Sequence, residues 1–402
     1  SWFEKLKPVL SNFTAKLSYS LTADRGPSSI TNSRAVIKAD NPWRPSASDK
    51  ESSLYIAWLA NNDLTYEKKH ELNFGIDAGF LNNRINFTFD IYTRRNYDLI
   101  GATNTMGIGG EPTKYGNVAK MKSNGVELSL NTVNIKTKDF TWTTDFIYSH
   151  MHNEVTELNT YNRLYDYISG YGFTMPGYPQ RSLFSIPFAG LNNEGLPTFY
   201  DPDGNITVTG IDMQEYDPER LKFLKYEGPA DPTDVGSLGN IFRYKNLTLN
   251  LFITYSFGNV VRLDPVFSSE YSDLSATPKE FNNRWIKPGD EKFTNIPVIA
   301  SRQQLNNLAY LSRAYQSYNY STARVAKGDF IRMKEISLAY EFPKTLTQPL
   351  HLSNLSLKLQ ATNLFLLYAD KKLNGQDPEF FNAGGVATPM PKQFTLTLKF
   401  GI

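Results

Sequence analysis

The 402-residue chain contains no cysteine and only four histidines. Without cysteine there is no disulfide framework, no thiolate zinc site and no thiol nucleophile. No apolar run reaches the roughly 18 residues that a transmembrane helix needs, which excludes an ordinary helical membrane protein. The net charge of +2 gives no electrostatic case for nucleic-acid binding or for a basic membrane-surface patch. Residues 1–10 carry no secretory signal, so we expect a mature or incomplete chain if the protein reaches an envelope compartment.

Aromatic residues and alternating stretches are what the chain does contain. Its aromatic content is 14%, with 24 Tyr and 26 Phe. About ten stretches alternate apolar and polar residues, the period typical of strands. In residues 84–97 the apolar positions are Ile85, Phe87, Phe89 and Ile91, and the polar positions between them are Asn86, Thr88 and Asp90. The chain is therefore predicted to be all-β.

The predicted strands are long. They cover approximately residues 13–21, 69–80, 84–97, 122–131, 140–150, 237–244, 247–257, 329–342, 354–363 and 392–400. Most have about 9 to 14 residues, which suits a tilted membrane strand of about 9 to 11 better than the roughly 5 to 6 of globular sheets. Aromatics near the strand ends, where an interfacial girdle would lie, are Phe80, Tyr97, Phe140, Tyr148, Phe257, Phe342 and Phe400. Ordinary β-propensity favours the same residues, so a soluble sheet stays the alternative to a transmembrane antiparallel β-barrel.

The connections are alternately short and long. Short ones fall at about 81–83, 132–139, 245–246 and 343–353, and long ones at about 22–68, 98–117, 151–235, 258–328 and 364–391. Membrane barrels have short periplasmic turns and longer extracellular loops, so we expect both chain ends to face the periplasm. Loops of this length are rarely structureless, and we expect them to fold over the barrel mouth and to carry recognition.

Several stretches, in this order along the chain, resemble one family. They are Leu64–His70, Asn73–Asp77, Asn82–Asn86, Asp90–Tyr92, Gly116–Val118, Asn124–Leu128, Phe242–Lys245, Tyr255–Asn259, Arg284–Asp290, Asp329–Lys334, Ala361–Leu364, Asp377–Glu379 and Pro389–Pro391. Together they are similar to the SusC/RagA family of TonB-dependent outer-membrane transporters of the Bacteroidota. The resemblance covers essentially the whole chain.

The resemblance implies a barrel of 22 strands with an N-terminal plug. This chain would supply the C-terminal half, without the plug and the TonB box, and the remaining N-terminal sequence would complete the barrel. The implied function is import of an oligosaccharide or oligopeptide across the outer membrane beneath a SusD-like lipoprotein lid. The TonB–ExbB–ExbD complex would act through the missing plug. Outer-membrane lipid is the surrounding partner, and no cofactor and no enzymatic activity are implied.

Two other functions compete with transport by a larger barrel. Ten strands can close a small barrel, which would be a passive porin or adhesin or a protease-like enzyme with Asp166 and His150 or His152 at its rim. The two histidines also allow a metal pair, although no third ligand is evident. The segment Asp201–Asn205 is similar to a calcium loop, but a turn explains it as well because the EF-hand glutamate is missing. Gly107–Gly110 lacks the strand-to-helix context of a phosphate-binding loop.

One long loop is rich in aromatic residues, and these are the candidate cargo contacts. They are Tyr161, Tyr165, Tyr167, Tyr171, Phe173 and Tyr178. Aromatic rings stack on sugar rings or pack against peptide side chains, and phenols add hydrogen bonds. The alternative is that these rings pack the core of the loop itself or contact the lid. The same two interpretations apply to Tyr310, Tyr315, Tyr318 and Tyr320.

Overall fold

The computed structural model describes residues 9–26, 34–40, 53–107, 113–160, 162–170, 172–266, 278–380 and 391–402. Its strands are β1 (Leu10–Asp24), β2 (Val36–Asp40), β3 (Ser53–Trp58), β4 (Glu67–Phe80), β5 (Ile85–Asn104), β6 (Thr113–Lys136), β7 (Phe140–Leu158), β8 (Ser182–Ser185), β9 (Phe188–Leu191), β10 (Pro197–Tyr200), β11 (Ile206–Thr207), β12 (Lys225–Pro229), β13 (Asp234–Tyr244), β14 (Leu247–Phe257), β15 (Val260–Arg262), β16 (Val325–Lys327), β17 (Phe330–Glu341), β18 (Asn354–Ala369) and β19 (Gln393–Gly401).

Helices are short. The α-helices are α1 (Leu164–Ile168), α2 (Pro218–Leu221), α3 (Arg302–Asn307), α4 (Leu311–Asn319) and α5 (Lys344–Thr347). Single 3₁₀ turns cover Lys279–Asn283, Asp290–Lys292, Thr322–Arg324, Gln348–Leu350, Lys371–Leu373 and Pro378–Phe380. Among the described residues, none of these helices is long and apolar enough to cross a membrane.

Ten strands form one antiparallel sheet in the order β1-β4-β5-β6-β7-β13-β14-β17-β18-β19. Each of these strands contains one of the predicted stretches, so the strand prediction is confirmed. Within the described residues the edge strands β1 and β19 do not pair with each other. The sheet is therefore open, which does not support the alternative of a small barrel closed by these ten strands alone.

Three strands continue well beyond their predicted ends. β6 begins at Thr113 and β7 ends at Leu158, and they stay paired as far as Ala119 and Leu158. The alternation of apolar and polar residues stops there, but cross-strand ion pairs support the ladder, including Lys120 with Glu157 at 2.6 Å. The predicted loop 98–117 is consequently shorter, because β5 reaches Asn104. Backbone hydrogen bonds hold these strand ends together. Alternation is not required there, because neither face needs a uniform apolar surface.

The sheet has an apolar face and a polar face, and burial is inverted relative to a soluble fold. Side chains of the apolar face stand open, with Leu17 75% exposed and Leu396 65% exposed. Of the 29 buried apolar residues in the described part, only four belong to this sheet, namely Ala78, Tyr92, Val118 and Val155. A soluble sheet would bury its apolar face, whereas a membrane strand presents that face to lipid.

The polar face packs around glycines. Tyr92 is 5% exposed and lies over Gly125, where an added Cβ would come within 2.6 Å of the tyrosine oxygen. The guanidinium of Arg94 stacks 3.9 Å from the Tyr92 ring centroid, and its Nε donates to Glu71 at 2.9 Å. Tyr92 and Gly125 lie in two of the stretches that carry the resemblance, so packing on the polar face explains part of the pattern.

Tight turns join the strands at one end of the sheet. Residues Leu81, Asn82 and Asn83 have φ values of 52°, 58° and 60°, and Lys245 has a φ of 51°. Asparagine tolerates this left-handed region better than most residues, which accounts for the Asn82–Asn83 pair. The predicted short turns at 81–83 and 245–246 are confirmed.

The long connections contain secondary structure that sequence periodicity did not indicate. β2 pairs with β3 in the first of them, β8 with β12, β10 with both β9 and β11, and β15 with β16. These strands have only two to six residues, too few for an alternating pattern to stand out. Residues 159–233 and 258–329 together are called the loop layer below.

Candidate functional site

The loop layer has its own hydrophobic core. Its buried members come from both segments and are Leu164, Ile168, Phe184, Ile186, Phe199, Ile211, Met213, Leu221, Leu224, Val266, Ile296, Ala314 and Tyr318. Gly210, at a φ of 74°, brings its backbone against α4, where a Cβ would meet the Ala314 nitrogen at 2.7 Å. The two segments therefore fold as one packed unit.

Most of the predicted cargo-contacting aromatics take part in this packing. Tyr165, Tyr167 and Tyr178 are half-buried against the core, and the Phe173 ring meets Tyr167 edge-on at 5.0 Å. Tyr178 lies 5.1 Å from the Phe184 ring in the same geometry. The remaining two candidates, Tyr161 and Tyr171, lie outside the described residues.

The second aromatic group is mostly internal. Tyr315 and Tyr318 are 3% and 1% exposed. Burial raises the pKa of Tyr318 to about 12, and burial followed by the Tyr165 phenol does the same for Tyr320. For Tyr315 and Tyr318 the packing interpretation is confirmed, whereas Tyr310 and Tyr320 are half-buried.

Two arginines hold the loop layer together, and sequence analysis did not single them out. Arg262 joins the two segments, whereas Arg324 lies within the second segment. Arg262 donates through Nη2 to the Phe184 carbonyl at 2.6 Å and through Nη1 to Ser185 Oγ at 3.0 Å. Arg324, 2% exposed, forms an ion pair with Glu280 at 2.5 Å. Burial lowers the pKa of Arg262 to about 10, so its guanidinium remains charged at neutral pH. The only indication of their role in the sequence was that a charged residue stands in an aromatic-rich segment.

A groove runs between the far ends of β5–β7 and residues 160–180. It has two adjoining parts, of about 260 Å³ and about 610 Å³, which share Ala102, Thr160, Asn162 and Phe173 as lining residues. The smaller part is walled by apolar side chains of the sheet, including Val155. The larger part opens toward polar side chains of α1. Among the predicted contact residues that the structure describes, Phe173 is the one that lines both parts.

The segment that forms one wall of the groove is fixed to the sheet. The N–H of Val155 donates to the Tyr178 carbonyl at 2.9 Å, and the N–H of Gly177 donates to the Val155 carbonyl at 2.8 Å. Asn153 Oδ1 accepts from the N–H of Gln180 at 2.8 Å. This segment takes over beside β7 where pairing with β13 ends at His150. The groove is thus a defined feature of the fold.

The open part of the groove presents a charged pair. Arg163 Nη2 lies 3.0 Å from Asp166 Oδ1, and Arg163 Nη1 donates to Gln214 Oε1 at 3.2 Å. Burial opposes ionisation of Asp166, but the bonds from Arg163 prevail and hold the pKa of this carboxyl below its ordinary value. Beside them stands Tyr216, 56% exposed. The groove therefore offers hydrogen-bonding groups and two aromatic surfaces.

The competing chemistry predicted from sequence is not assembled. His150 Nδ1 lies 2.9 Å from Asp234, whereas the partner of Asp166 is Arg163, so the proposed acid and base do not form a pair. In the described part of the chain, no three or more of His, Asp and Glu gather as a metal site. Asp201 Oδ1 accepts from the N–H of Asn205 at 2.8 Å, the arrangement of a turn.

Known proteins resemble this chain in sequence over most of its length. No family model matches the sequence. The TonB-dependent receptor P39 of Formosa agariphila is 26% identical over 82% of this chain and 34% of its own length. The TonB-dependent receptor SusC of Bacteroides thetaiotaomicron is 28% identical over 84% of this chain and 32% of its own. The chain thus spans about a third of the length of these relatives.

The architecture agrees with these relatives. A structure of the RagAB peptide transporter superposes with a TM-score of 0.73 at 25% identity, over 98% of this chain and 41% of the other. In sequence and in fold, the chain is therefore similar to TonB-dependent receptors such as SusC and to the RagAB transporter. This similarity agrees with the exposed apolar face and the open sheet, because the matched proteins are longer than this chain.

Two stretches that carry the SusC/RagA resemblance meet in space. Arg332 on β17 pairs with Asp377, and its Nε lies 3.1 Å from Glu379. Arg332 and Asp377 are 5% and 9% exposed. The pair anchors residues 370–380 to the polar face. In the sequence these residues belong to two separate motifs. Only the fold shows that the two motifs form one site.

Proposed function

We propose that the chain forms part of a barrel that imports an oligomeric nutrient across the outer membrane in a TonB-dependent manner. The observation that carries this proposal is the inverted burial, in which the sheet exposes its apolar face while the loop layer keeps a packed core. Membrane barrels require that arrangement. The cargo class in the proposal is an oligosaccharide or an oligopeptide.

The open sheet supports partners for this function. Within the described part of the chain β1 and β19 leave unpaired edges, and such edges are satisfied by further strands. We propose that additional sequence of the same transporter closes a barrel of 22 strands and supplies a plug through which TonB–ExbB–ExbD acts. The tight turns would face the periplasm, with both ends of the chain, and a SusD-like lipoprotein would cover the loop layer.

The groove is proposed as a place where cargo contacts the loop layer. Phe173 lines it, and the other predicted aromatics, Tyr161, Tyr165, Tyr167, Tyr171 and Tyr178, belong to the same segment. Because Tyr165, Tyr167 and Tyr178 support the core, their share in the proposal is to hold Phe173 and the rim in position. Arg163 and Tyr216 would provide the exposed hydrogen-bonding surface.

The native outer-membrane species, purified in detergent and mapped by peptide and intact mass, tests the proposal. We expect a longer chain or a partner fragment with a plug, together with a co-purifying lipoprotein. Oligomers that are released from the purified complex should be taken up by cells. This uptake should stop when the proton-motive force is dissipated. A homogeneous species of this chain alone, or conduction without energy coupling as in a porin, would contradict the proposal.

Replacing Tyr216 by alanine (Y216A) should weaken cargo binding by about fivefold, because an exposed aromatic contact contributes about 1 kcal/mol. Stability should be unchanged, since the Tyr216 side chain is exposed. Binding of native cargo to the detergent-purified complex is the measurement. Tyr200, 43% exposed and outside the groove, provides the matched control Y200A. Equal affinity of Y216A and Y200A would remove the groove from the binding site.

A further inference from the structure

The apolar face ends at a row of basic residues on three neighbouring strands. His70 on β4 is the cross-strand partner of Arg95 on β5, and Arg95 is the partner of Lys122 on β6. Each lies four residues from an apolar residue of the face, which puts it on the same face. Those apolar residues are Phe74, Ile91 and Val126, themselves cross-strand partners.

The charges around this row are balanced everywhere except at Arg95. Lys122 forms an ion pair with Glu154 at 2.9 Å, and in the next row Lys68 pairs with Asp98 at 2.8 Å. Arg95 is exposed and has no ion pair with the described residues. Like charges directly opposite one another in an antiparallel pair are destabilising. Because Lys122 already has Glu154 as its partner, it is the unpaired charge of Arg95 that favours a bound anion.

Aromatic side chains next to His70 indicate how deep in the membrane this row lies. The Tyr19 hydroxyl lies 2.7 Å from His70 Nδ1, and the Tyr97 ring meets the imidazole edge-on at 5.5 Å. Tyrosines in such positions lie at the boundary between hydrocarbon and headgroups. At the other end of the same face the corresponding row is uncharged, with the cross-strand partners Thr132, Thr144 and Asn240.

We propose that Arg95, assisted by Lys122 and His70, binds the phosphate of a lipid headgroup in the outer leaflet. The Arg95 guanidinium presents a planar fork that matches two phosphate oxygens, and Lys122, in its ion pair with Glu154, lies beside it. The site lies at the sheet end that carries the loop layer, which is the extracellular end in membrane barrels. This lipid site is separate from the cargo groove. It lies on the apolar face of the barrel wall, which is opposite to the polar face.

The test uses the complete transporter in phosphatidylcholine nanodiscs that contain the phosphorylated glycolipid of its own outer membrane. Native mass spectrometry measures how much glycolipid stays bound. Replacing Arg95 by glutamine (R95Q) should weaken retention about fivefold, because one base near an anionic surface contributes about that factor. The control R243Q changes an exposed arginine on the polar face and should retain the glycolipid. Glycolipid stripped of its phosphates should bind every variant at the R95Q level.

Three results would overturn the proposal. One is equal retention by R95Q and the unmodified protein, and another is equal retention of the phosphorylated and stripped glycolipids. The third is displacement of the glycolipid by millimolar inorganic phosphate, which would indicate a site for soluble anions. None of these experiments depends on cargo uptake. Retention of the glycolipid can therefore be interpreted even if the import proposal fails.

Discussion

Replacing Arg324 by methionine (R324M) is expected to open the loop layer while the ten-stranded sheet stays assembled. The substitution leaves the Glu280 carboxylate, 16% exposed, without its cation and removes a donor to the Asp264 carbonyl. Removing one partner of a buried ion pair costs about 3 to 5 kcal/mol. The core of the loop layer lies next to this pair, since the Arg324 guanidinium sits 6.0 Å from the Tyr318 ring centroid. Loss of the pair should therefore spread through that core.

Limited proteolysis of whole outer membranes measures this opening. We expect new cleavage within residues 159–233 and 258–329, while the heat-modifiable mobility of the folded barrel on gels is retained. The double substitution R324M/E280L should recover most of the protection, because replacing both charges by apolar groups removes the unpaired carboxylate. R313M, at an exposed arginine of α4, is the matched control and should behave like the unmodified protein. Cleavage equal to that of R313M would show that the Arg324 pair does not hold the layer.

Sheet and loop layer differ in how far sequence could predict them. The strands were predictable because a two-sided sheet imposes alternation at every position, as Phe87, Thr88 and Phe89 show. The strand ends beyond the apolar face were not predictable, since there Lys120 and Glu157 form an ion pair across strands and the apolar periodicity ends. The open edges were not predictable either, because alternation says nothing about closure.

The candidate site was predictable only in composition. Aromatic crowding indicated the segment around Tyr167 and Phe173, but whether a ring packs inward or faces cargo depends on contacts with residues far along the chain. Tyr226, which meets Tyr178, is distant from it in sequence. The Arg163–Asp166 pair forms locally, yet its position at the groove depends on Ala102 of β5. Tertiary contacts, rather than local pattern, decide which aromatic residues are available to a ligand.

Replacing Arg332 by methionine (R332M) should release residues 370–380 from the polar face of the barrel wall. Asp377 would stay buried without a cation, at a cost of about 3 to 5 kcal/mol. The 3₁₀ turn Pro378–Phe380 also depends on this carboxylate, because Asp377 Oδ1 accepts from the N–H of Glu379 at 3.1 Å. Hydrogen exchange across 370–380 should accelerate at least a hundredfold, whereas exchange in β14 and β18 should change little.

The conservative substitution R332K separates charge from geometry at this anchor. Arg332 addresses two carboxylates from different nitrogens, Asp377 through Nη2 and Glu379 through Nε, and a single ammonium cannot reproduce that fork. R332K should therefore fall between R332M and the unmodified protein in exchange rate. K358M, on the same face of the neighbouring strand and 40% exposed, should leave exchange unchanged. If R332M also left residues 370–380 protected, the buried pair would not be the anchor, and the meeting of the two family stretches would need another physical reason. If R332K matched R332M, the two-carboxylate geometry, and not the charge alone, would be what fixes this segment to the wall.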